Sequence, residues 1–254
     1  MKIYYQFLKL LFAKKLAYRF DFFASMLSVT LWSFTVPLFM ILVYTNGAQY
    51  PGWTFNELFV FLGIYNLLTG IGRTLFFNMF FNVINRVQKG ELELILVKPV
   101  DEIYFLISES FDYSGFGDIF VGAGLFTYGY IQVSPEINFL SLLVNSIFAI
   151  AFFFSCILII TTLAIKFVKV DRLIELFETV MQFSEYPKNM YPLFLMSSFT
   201  FFVPFFIFSY YPASAVLGFE TQNMHWIFLS VLVWFIGSIL FWKFTIKRYM
   251  GAGG

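Results

Sequence analysis

Residues 137–165 read INFLSLLVNSIFAIAFFFSCILIITTLAI and contain no Lys, Arg, Asp or Glu. A helix needs roughly 20 apolar residues to cross about 30 Å of hydrocarbon, so this run is long enough to span a membrane. Three further runs are equally free of charge: Phe22–Asn56, Asn189–Phe219 and Thr221–Trp242. These runs alone predict four membrane-spanning helices.

Two more apolar stretches carry charges within them. Leu58–Asn82 contains Arg73, and Ile103–Tyr130 contains Glu109, Asp112 and Asp118. A transmembrane β-barrel would alternate apolar and polar residues in short strands, whereas these six stretches are long and predominantly apolar. The predicted fold class is therefore an all-α polytopic membrane protein with six transmembrane helices.

The composition excludes an ordinary soluble enzyme. Only 12% of the 254 residues are charged and 60% are hydrophobic, whereas soluble domains are roughly a quarter charged. The formal net charge of +1 supplies no basic face of the kind that nucleic-acid binding requires. Membrane lipids are predicted to surround the chain, and no nucleic-acid partner is expected.

The basic residues predict the orientation, because cytoplasmic loops are enriched in Lys and Arg. With a cytoplasmic N-terminus, the predicted external loops at residues 46–57, 131–138 and 219–223 contain no basic residue, and Arg73 is the sole exception to a one-sided distribution. The cytoplasmic set would be Lys2, Lys9, Lys14, Lys15, Arg19, Arg86, Lys89, Lys98, Lys166, Lys169, Arg172, Lys188, Lys243, Lys247 and Arg248. We expect a multi-pass protein of the cytoplasmic membrane with both termini in the cytoplasm.

Three domains follow from this pattern. Residues 1–20 mix apolar and basic side chains and predict an amphipathic helix lying in the membrane interface. Residues 21–250 form the six-helix transmembrane domain, and residues 251–254 form a flexible tail. A second amphipathic helix is predicted on the cytoplasmic side over Lys166–Lys188, ended by Pro187.

The loop between the second and third spans is unusually apolar. It reads NRVQKGELELILVKPVD over Asn85–Asp101, with a Leu/Ile/Val cluster after Gly90 and Pro99 as a stop. A cytoplasmic loop of this composition either folds back on the bilayer or packs against a protein partner.

Two motifs carry a family resemblance. The stretch GELELILVKP over residues 90–99 resembles the G-x-L-[DE]-x-x-L-x-[KR]-P stretch of type-2 ATP-binding-cassette (ABC) exporter permeases. The Tyr-Pro pairs at 186–187 and 191–192, Val203-Pro204 and YYPASAVLG over 210–218 are similar to the viologen- or multidrug-exporter-like half permeases. Glu185 departs from that pattern, since relatives often carry Arg before Tyr-Pro.

The resemblance covers essentially the whole chain and implies an assembly. It implies a second permease, favouring a paralogue over an identical copy, two separate ATPase subunits, and export of lipophilic or drug-like substrates. It also implies that the chain after the fifth span dips back as short re-entrant helices near the outer surface. The residues of this outer segment are Pro204, Tyr210, Tyr211, Pro212 and Gly218.

The same resemblance suggests a coupling helix in the Asn85–Asp101 loop, seated in a groove of the ATPase. Leu94, Ile95 and Leu96 are further apolar candidates beside the predicted coupling residues, which are Arg86, Lys89, Gly90, Glu91, Leu92, Glu93, Lys98 and Pro99. The chain has no G-x-x-x-x-G-K-[ST] loop for a nucleotide phosphate. We therefore expect no enzyme activity and no cofactor in this chain, with ATP and Mg²⁺ bound by the partner. One His and one Cys predict no metal site.

The charges at membrane depth leave two questions open. Arg73 is hypothesised to pair with Glu109 or Asp112, which would share a helix face at i, i+3; alternatively, Arg73 extends to the inner headgroups. The second question is function. An ion-coupled secondary transporter or channel would instead use Glu109, Asp112 and Asp118 to carry ions or protons.

Overall fold

The computed structural model describes residues 19–167, 171–221 and 224–249. The interfacial helix predicted over residues 1–20 lies outside these ranges apart from its last two residues, as does the whole tail at 251–254. The described residues are helical, without strands. Four helices among them are long and apolar enough to cross a membrane: Phe23–Thr45, Phe55–Lys89, Phe139–Lys166 and Met224–Ile246. The other two predicted spans are not continuous helices of this kind.

The first long helix consists of α1 (Arg19–Ser33) and α2 (Thr35–Thr45). Only 17% of its most apolar part is buried within the chain. It ends at the loop of residues 46–54, and we call this end of the bundle the first-loop end.

The second long helix is the axis of the fold. It begins at α3 (Phe55–Gly72), where the Thr54 hydroxyl and the Glu57 carboxylate each accept the other residue's backbone N–H, at 3.4 and 2.7 Å. It continues through a π-helical turn (Arg73–Phe77) into α4 (Asn78–Lys89). Its 35 residues extend over about 50 Å at 1.5 Å per residue, which exceeds the hydrocarbon thickness.

The helix stops at Gly90, whose φ of 69° is the left-handed conformation that favours glycine. Residues 90–101 therefore lie at the opposite end from residues 46–54, and we call this the second-loop end. It contains α5 (Glu93–Leu96), a single helical turn within the predicted coupling loop.

The predicted third span is broken in two. α6 (Glu102–Glu109) and α7 (Gly115–Val133) are separated by residues 110–114. The Asp112 N–H donates to the Thr74 carbonyl at 2.8 Å, and the Ser110 hydroxyl donates to the Leu75 carbonyl. The connector is therefore anchored to the π-helical turn rather than continued as a helix. α7 packs antiparallel to α3 and returns to the first-loop end.

Two long helices run side by side in the same direction, α8 (Phe139–Lys166) and α12 (Met224–Ile246). The Phe148 and Phe228 ring centroids lie 4.3 Å apart, and further along the pair those of Phe152 and Trp234 lie 5.5 Å apart. Both helices lead from the first-loop end to the second-loop end.

The predicted location of the fifth span, residues 189–219, is wrong. The segment that runs from the second-loop end to the first-loop end is α9 (Asp171–Met181), followed by 3₁₀ turns at Gln182–Glu185 and Lys188–Met190. It lies antiparallel to α3: the Tyr65 hydroxyl donates to the Met181 carbonyl at 3.3 Å, and a Cβ on Gly52 would lie 3.8 Å from Asn189 Nδ2.

This segment also corrects the amphipathic helix predicted beside the cytoplasmic face. α9 is amphipathic: Ile174, Phe177 and Met181 are buried in the core, whereas Arg172, Glu175 and Thr179 are exposed. It packs against the bundle rather than lying beside it, because Glu178 at the edge of the buried face meets Arg73. Lys188 lies at the first-loop end, where its ammonium is 3.8 Å from the centroid of the Tyr210 ring. Lys188 is thus a second exception to the one-sided distribution of basic residues.

The residues that follow form a hairpin of short helices. α10 (Leu193–Ser197) and a π-helical turn (Ser198–Phe202) lead into the bundle, and a 3₁₀ turn (Phe205–Phe208) and α11 (Tyr210–Leu217) lead back. At its deep end the Trp234 indole N–H donates to the Phe202 carbonyl at 2.7 Å, and at its return the Asn138 N–H donates to Ala215 at 3.0 Å.

The prolines of this hairpin have different positions. Pro204 lies at the reversal, between the two arms, whereas Pro212 lies in the first turn of α11, where a missing N–H costs no hydrogen bond. Only Pro204 therefore coincides with the reversal of the chain. Gly218 ends α11, and Tyr210 and Tyr211 are buried within it.

Candidate functional site

The charges within the bundle pair differently from the sequence prediction. Arg73 contacts neither Glu109 nor Asp112. Its Nε lies 3.5 Å from Asp118 Oδ2, and its Nη2 lies 3.6 Å from Glu178 Oε1. One guanidinium on the second long helix therefore bridges α7 and α9.

The two other acids have local partners. Glu109 Oε2 lies 2.6 Å from Arg86 Nη2, and the Asp112 carboxylate accepts the Ser114 N–H at 3.0 Å. The two acids cannot share a helix face because α6 ends at Glu109. The break before α7 is what places Asp118, rather than Asp112, beside Arg73.

Arg73 begins the π-helical turn Arg73–Phe77, and its guanidinium carbon lies 5.3 Å from the centre of the Phe77 ring. Single π-helical turns interrupt the regular α-helical hydrogen bonds and occur often at functional positions. Here the turn places Arg73 between Asp118 and Glu178.

Asp118 is the most enclosed acid of this group, with 9% of its side chain exposed. Its Oδ1 accepts a hydrogen bond from the Ser33 hydroxyl. Within the described residues neither its Oδ2 nor Arg73 Nε has a hydrogen-bond partner, so the two atoms attract each other as charges only. A buried carboxylate oxygen left in this way has the capacity to accept a further hydrogen bond.

These groups line a cavity of about 350 Å³ enclosed by α1, α2, α3 and α9. Its charged members are Arg73, Asp118, Glu178 and Glu185. Aromatic side chains supply much of the remaining wall, and they are Trp32, Tyr65, Phe77, Phe153, Phe177 and Tyr186. The cavity thus combines one cation and three carboxyl groups with apolar, aromatic walls.

The sequence analysis missed most of this cavity. Of the predicted intramembrane charges only Arg73 and Asp118 line it, whereas Glu178 and Glu185 were assigned to a helix beside the membrane. The spacing of Glu178 and Glu185 could not have found them, because α9 ends at Met181 and Glu185 lies in the 3₁₀ turn Gln182–Glu185.

The predicted coupling loop presents a second surface at the second-loop end. Leu92 and Ile95 are buried in the chain's own core, with 1% and 2% exposed, whereas Leu94 and Val97 are 64% and 83% exposed. Leu92 and Ile95 are therefore too buried to contact a partner. Val97 was not among the predicted residues but is exposed enough to do so. Leu96 is half-buried.

Some charged residues of this loop are exposed, and others are held by side chains of the same chain. Glu91, Glu93 and Lys89 are exposed. Arg86 is held by Glu109, and the Lys98 ammonium lies 3.7 Å from the centre of the Phe105 ring. Pro99 is exposed and precedes α6. The surface left for a partner combines the apolar side chains of Leu94 and Val97 with the exposed charges of Lys89, Glu91 and Glu93.

At the first-loop end, Lys188 is enclosed by the rings of Tyr210 and Tyr211, at 3.8 and 5.4 Å from their centres. The faces of aromatic rings attract a cation. This contact fixes the end of the α9 segment to α11.

Comparison with known proteins identifies the family. Residues 30–253 match the profile of the family described as "ABC-2 family transporter protein". The chain belongs to this family. No curated protein and no solved structure matches the chain.

As an ABC-2 family permease, the chain is a multi-pass membrane transport protein, and its family implies association with ABC ATPase subunits. Within the described residues, no group of three or more His, Cys, Asp or Glu could hold a metal ion.

Proposed function

We propose that this chain is the permease subunit of an ABC exporter in the cytoplasmic membrane, with both termini in the cytoplasm. Two separate ATPase subunits bind ATP and Mg²⁺, and the chain itself is not an enzyme. A second permease, a paralogue, completes the pathway for lipophilic or drug-like substrates, as in the viologen- and multidrug-like branch. The observation that carries the proposal is the family match over residues 30–253.

Six crossings make up each permease in this proposal. Four are the long apolar helices, and α7 and the 171–190 segment supply the third and fifth. Arg73 pairs with one acid on each of these two, Asp118 and Glu178, and so compensates part of the cost of their charges at membrane depth. The 193–217 hairpin is the re-entrant element at the outer surface.

The ATPase subunits transmit their conformational change to the permease at the second-loop end. The exposed patch of Glu91, Glu93, Leu94 and Val97 docks on the ATPase, while Arg86–Glu109 and Lys98–Phe105 hold the loop against α6. Apolar side chains at the centre with charges at the rim suit a protein interface better than a lipid surface. Movement of the ATPases would then tilt the second long helix, whose end the loop continues.

The ion-coupled alternative uses Glu109, Asp112 and Asp118 together. Only Asp118 lines the cavity, whereas Glu109 pairs with Arg86 near the second-loop end. Three acids in separate surroundings do not form a continuous ion or proton path, so this geometry favours the ABC permease.

The test is purification of the tagged chain from its native membranes, with its partners identified by mass spectrometry. We expect an ATPase with a nucleotide-binding loop and a second six-span permease. The double variant Glu91→Lys/Glu93→Lys should lose the ATPase, because both carboxylates are exposed at the proposed contact. Glu136→Lys, an exposed acid at the first-loop end, is the matched control.

Absence of an ATPase from the wild-type preparation would contradict the proposed function. Retention of the ATPase at the wild-type level in the double variant, with the chain correctly inserted, would contradict this docking surface.

A further inference from the structure

We propose that a groove between α12 and the 193–217 hairpin binds one membrane phospholipid, whose acyl chains lie along α12 in the leaflet nearer the first-loop end. The groove has a volume of about 570 Å³ and, among the described residues, shares none of its lining with the charged cavity. The lipid is a bound component of the fold rather than a transported molecule, so this site does not depend on the exporter assignment.

One wall of the groove is a single face of α12. Trp226, Leu229, Ser230, Val233 and Trp234 line it at i, i+3, i+4, i+7 and i+8, the spacing of residues on one side of a helix. Trp226 lies at the first-loop end of α12, near the membrane surface, where amphipathic indole rings are favoured. From Trp226 to Trp234 the stripe extends about 12 Å at 1.5 Å per residue, close to half of the roughly 30 Å hydrocarbon layer. The groove therefore has the length and direction of an acyl chain in one leaflet.

The hairpin supplies the opposite wall and the deep end. Phe201 and Phe202, in its π-helical turn, line the groove with exposed rings. At the deep end the Trp234 indole N–H donates to the Phe202 carbonyl at 2.7 Å, so these two polar groups satisfy each other. The other lining side chains are apolar apart from the Ser230 hydroxyl and the Trp226 indole, and a polar ligand would leave most of its hydrogen bonds unmade there. Hydrocarbon suits this surface.

The width of the groove distinguishes a lipid from a helix of a second permease. A volume of about 570 Å³ spread over about 12 Å corresponds to a channel about 8 Å wide. A helix with its side chains is about 10–12 Å in diameter and would not enter it. Hydrocarbon chains pack with carbon atoms about 4 Å apart, so the two acyl chains of one phospholipid fit side by side.

The experiment is photolabelling of the chain, with the partners that purify with it, in detergent micelles that contain a small fraction of phosphatidylcholine. This lipid carries a diazirine in the middle of one acyl chain, and mass spectrometry locates the adducts after illumination. Phosphatidylcholine is the probe because residues 205–242 contain no Lys or Arg that would pair with an anionic headgroup.

Leu240 is the matched reference position. It follows Val233 by two turns on the same face of α12, is 61% exposed against 63%, and lies outside the groove. It is about 21 Å along the helix from Trp226, which is mid-chain depth in the opposite leaflet. We expect adducts on Leu229 and Val233 in about tenfold excess over Leu240, a ratio that corresponds to a preference of about 1.4 kcal/mol for the groove. Unlabelled phosphatidylcholine should abolish the excess.

Val233→Trp should fill the groove and reduce labelling of Leu229 to the level of Leu240. Leu240→Trp places the same side chain on the same face outside the groove and should leave labelling of Leu229 unchanged. A thermal unfolding scan shows whether each variant is folded. If Val233→Trp does not fold, the distribution of adducts in the wild-type chain and its competition by unlabelled lipid decide the question.

Equal labelling of the groove and of Leu240 would mean ordinary boundary lipid only and would overturn the proposal. Labelling of Leu240 without labelling of the groove would mean that another protein chain covers it, with the same consequence. An excess on Leu229 that persists in a folded Val233→Trp variant would also overturn the site.

Discussion

Arg73 connects three parts of the bundle through two contacts. It extends from the second long helix to Asp118 on α7 and Glu178 on α9, with 30% of its side chain exposed. Asp118 depends on it most, because only 9% of that side chain is exposed. Removing one partner of a buried ion pair leaves an uncompensated charge, and this usually costs more than the intact pair contributes.

Arg73→Gln should therefore destabilise the folded chain by about 2 kcal/mol, less than a fully buried pair because Arg73 is partly exposed. Adding Asp118→Asn should recover part of this loss, whereas adding Glu109→Gln should recover none. Thermal unfolding of the single and double variants in detergent measures the energetic coupling of Arg73 with Asp118 and that of Arg73 with Glu109. Recovery with Glu109→Gln but not with Asp118→Asn would restore the pairing first expected from the sequence and contradict the observed one.

At the scale of elements, α3 and α7 form the closest helix pair, since glycines let their backbones approach. A Cβ on Gly122 would lie 2.6 Å from the Leu67 backbone nitrogen and 2.8 Å from the Gly63 carbonyl oxygen. Neither atom can move without shifting α3. Two residues along the same helix, a Cβ on Gly124 would meet nothing within 4 Å.

Gly122→Ala should separate the two helices and cost about 1–3 kcal/mol of stability, as overpacking of a close contact does. Gly124→Ala is the matched control and should be neutral or slightly stabilising, because Ala favours helix. The yield of folded monodisperse protein and the unfolding midpoint both report the effect. Equal behaviour of the two variants would show that this close approach is not required.

The elements that could be predicted from the sequence are those that depend least on distant partners. The runs at 137–165 and 221–242 correspond to α8 and α12, because an uninterrupted apolar helix of this length needs no partner to identify it. The break at 110–114 depends on the contact of Asp112 with Thr74, which lies far away in the chain. No local pattern encodes such a contact.

The position of the fifth crossing was predicted wrongly for the same reason. The charges of Asp171, Arg172, Glu175 and Glu178 made the 166–188 segment resemble a solvated amphipathic helix. Only the contacts of Glu178 with Arg73 and of Met181 with Tyr65 show that it lies in the bundle. The cavity was therefore not predictable in full. Its Arg73 and Asp118 were identified as unusual, but their pairing was not.

For the whole molecule, the path of residues 171–190 is decisive, because this segment crosses the bundle and carries Glu178 and Glu185 into it. The sequence prediction placed Lys188 with the cytoplasmic loops, whereas the structure places Asn189 beside Gly52 at the first-loop end. The cavity, its charge and the exposed docking loop at the opposite end all depend on this path.

The most direct test is side-specific labelling of single cysteines at Ala48, Asn189 and Gln88, all exposed positions. Cys156 is buried in α8 and is replaced by Ala to remove the native thiol. In intact cells a membrane-impermeant maleimide should label the Ala48→Cys and Asn189→Cys variants, and should reach the Gln88→Cys variant only after the membrane is opened. Labelling of the Asn189→Cys variant together with the Gln88→Cys variant, and apart from Ala48→Cys, would contradict the crossing.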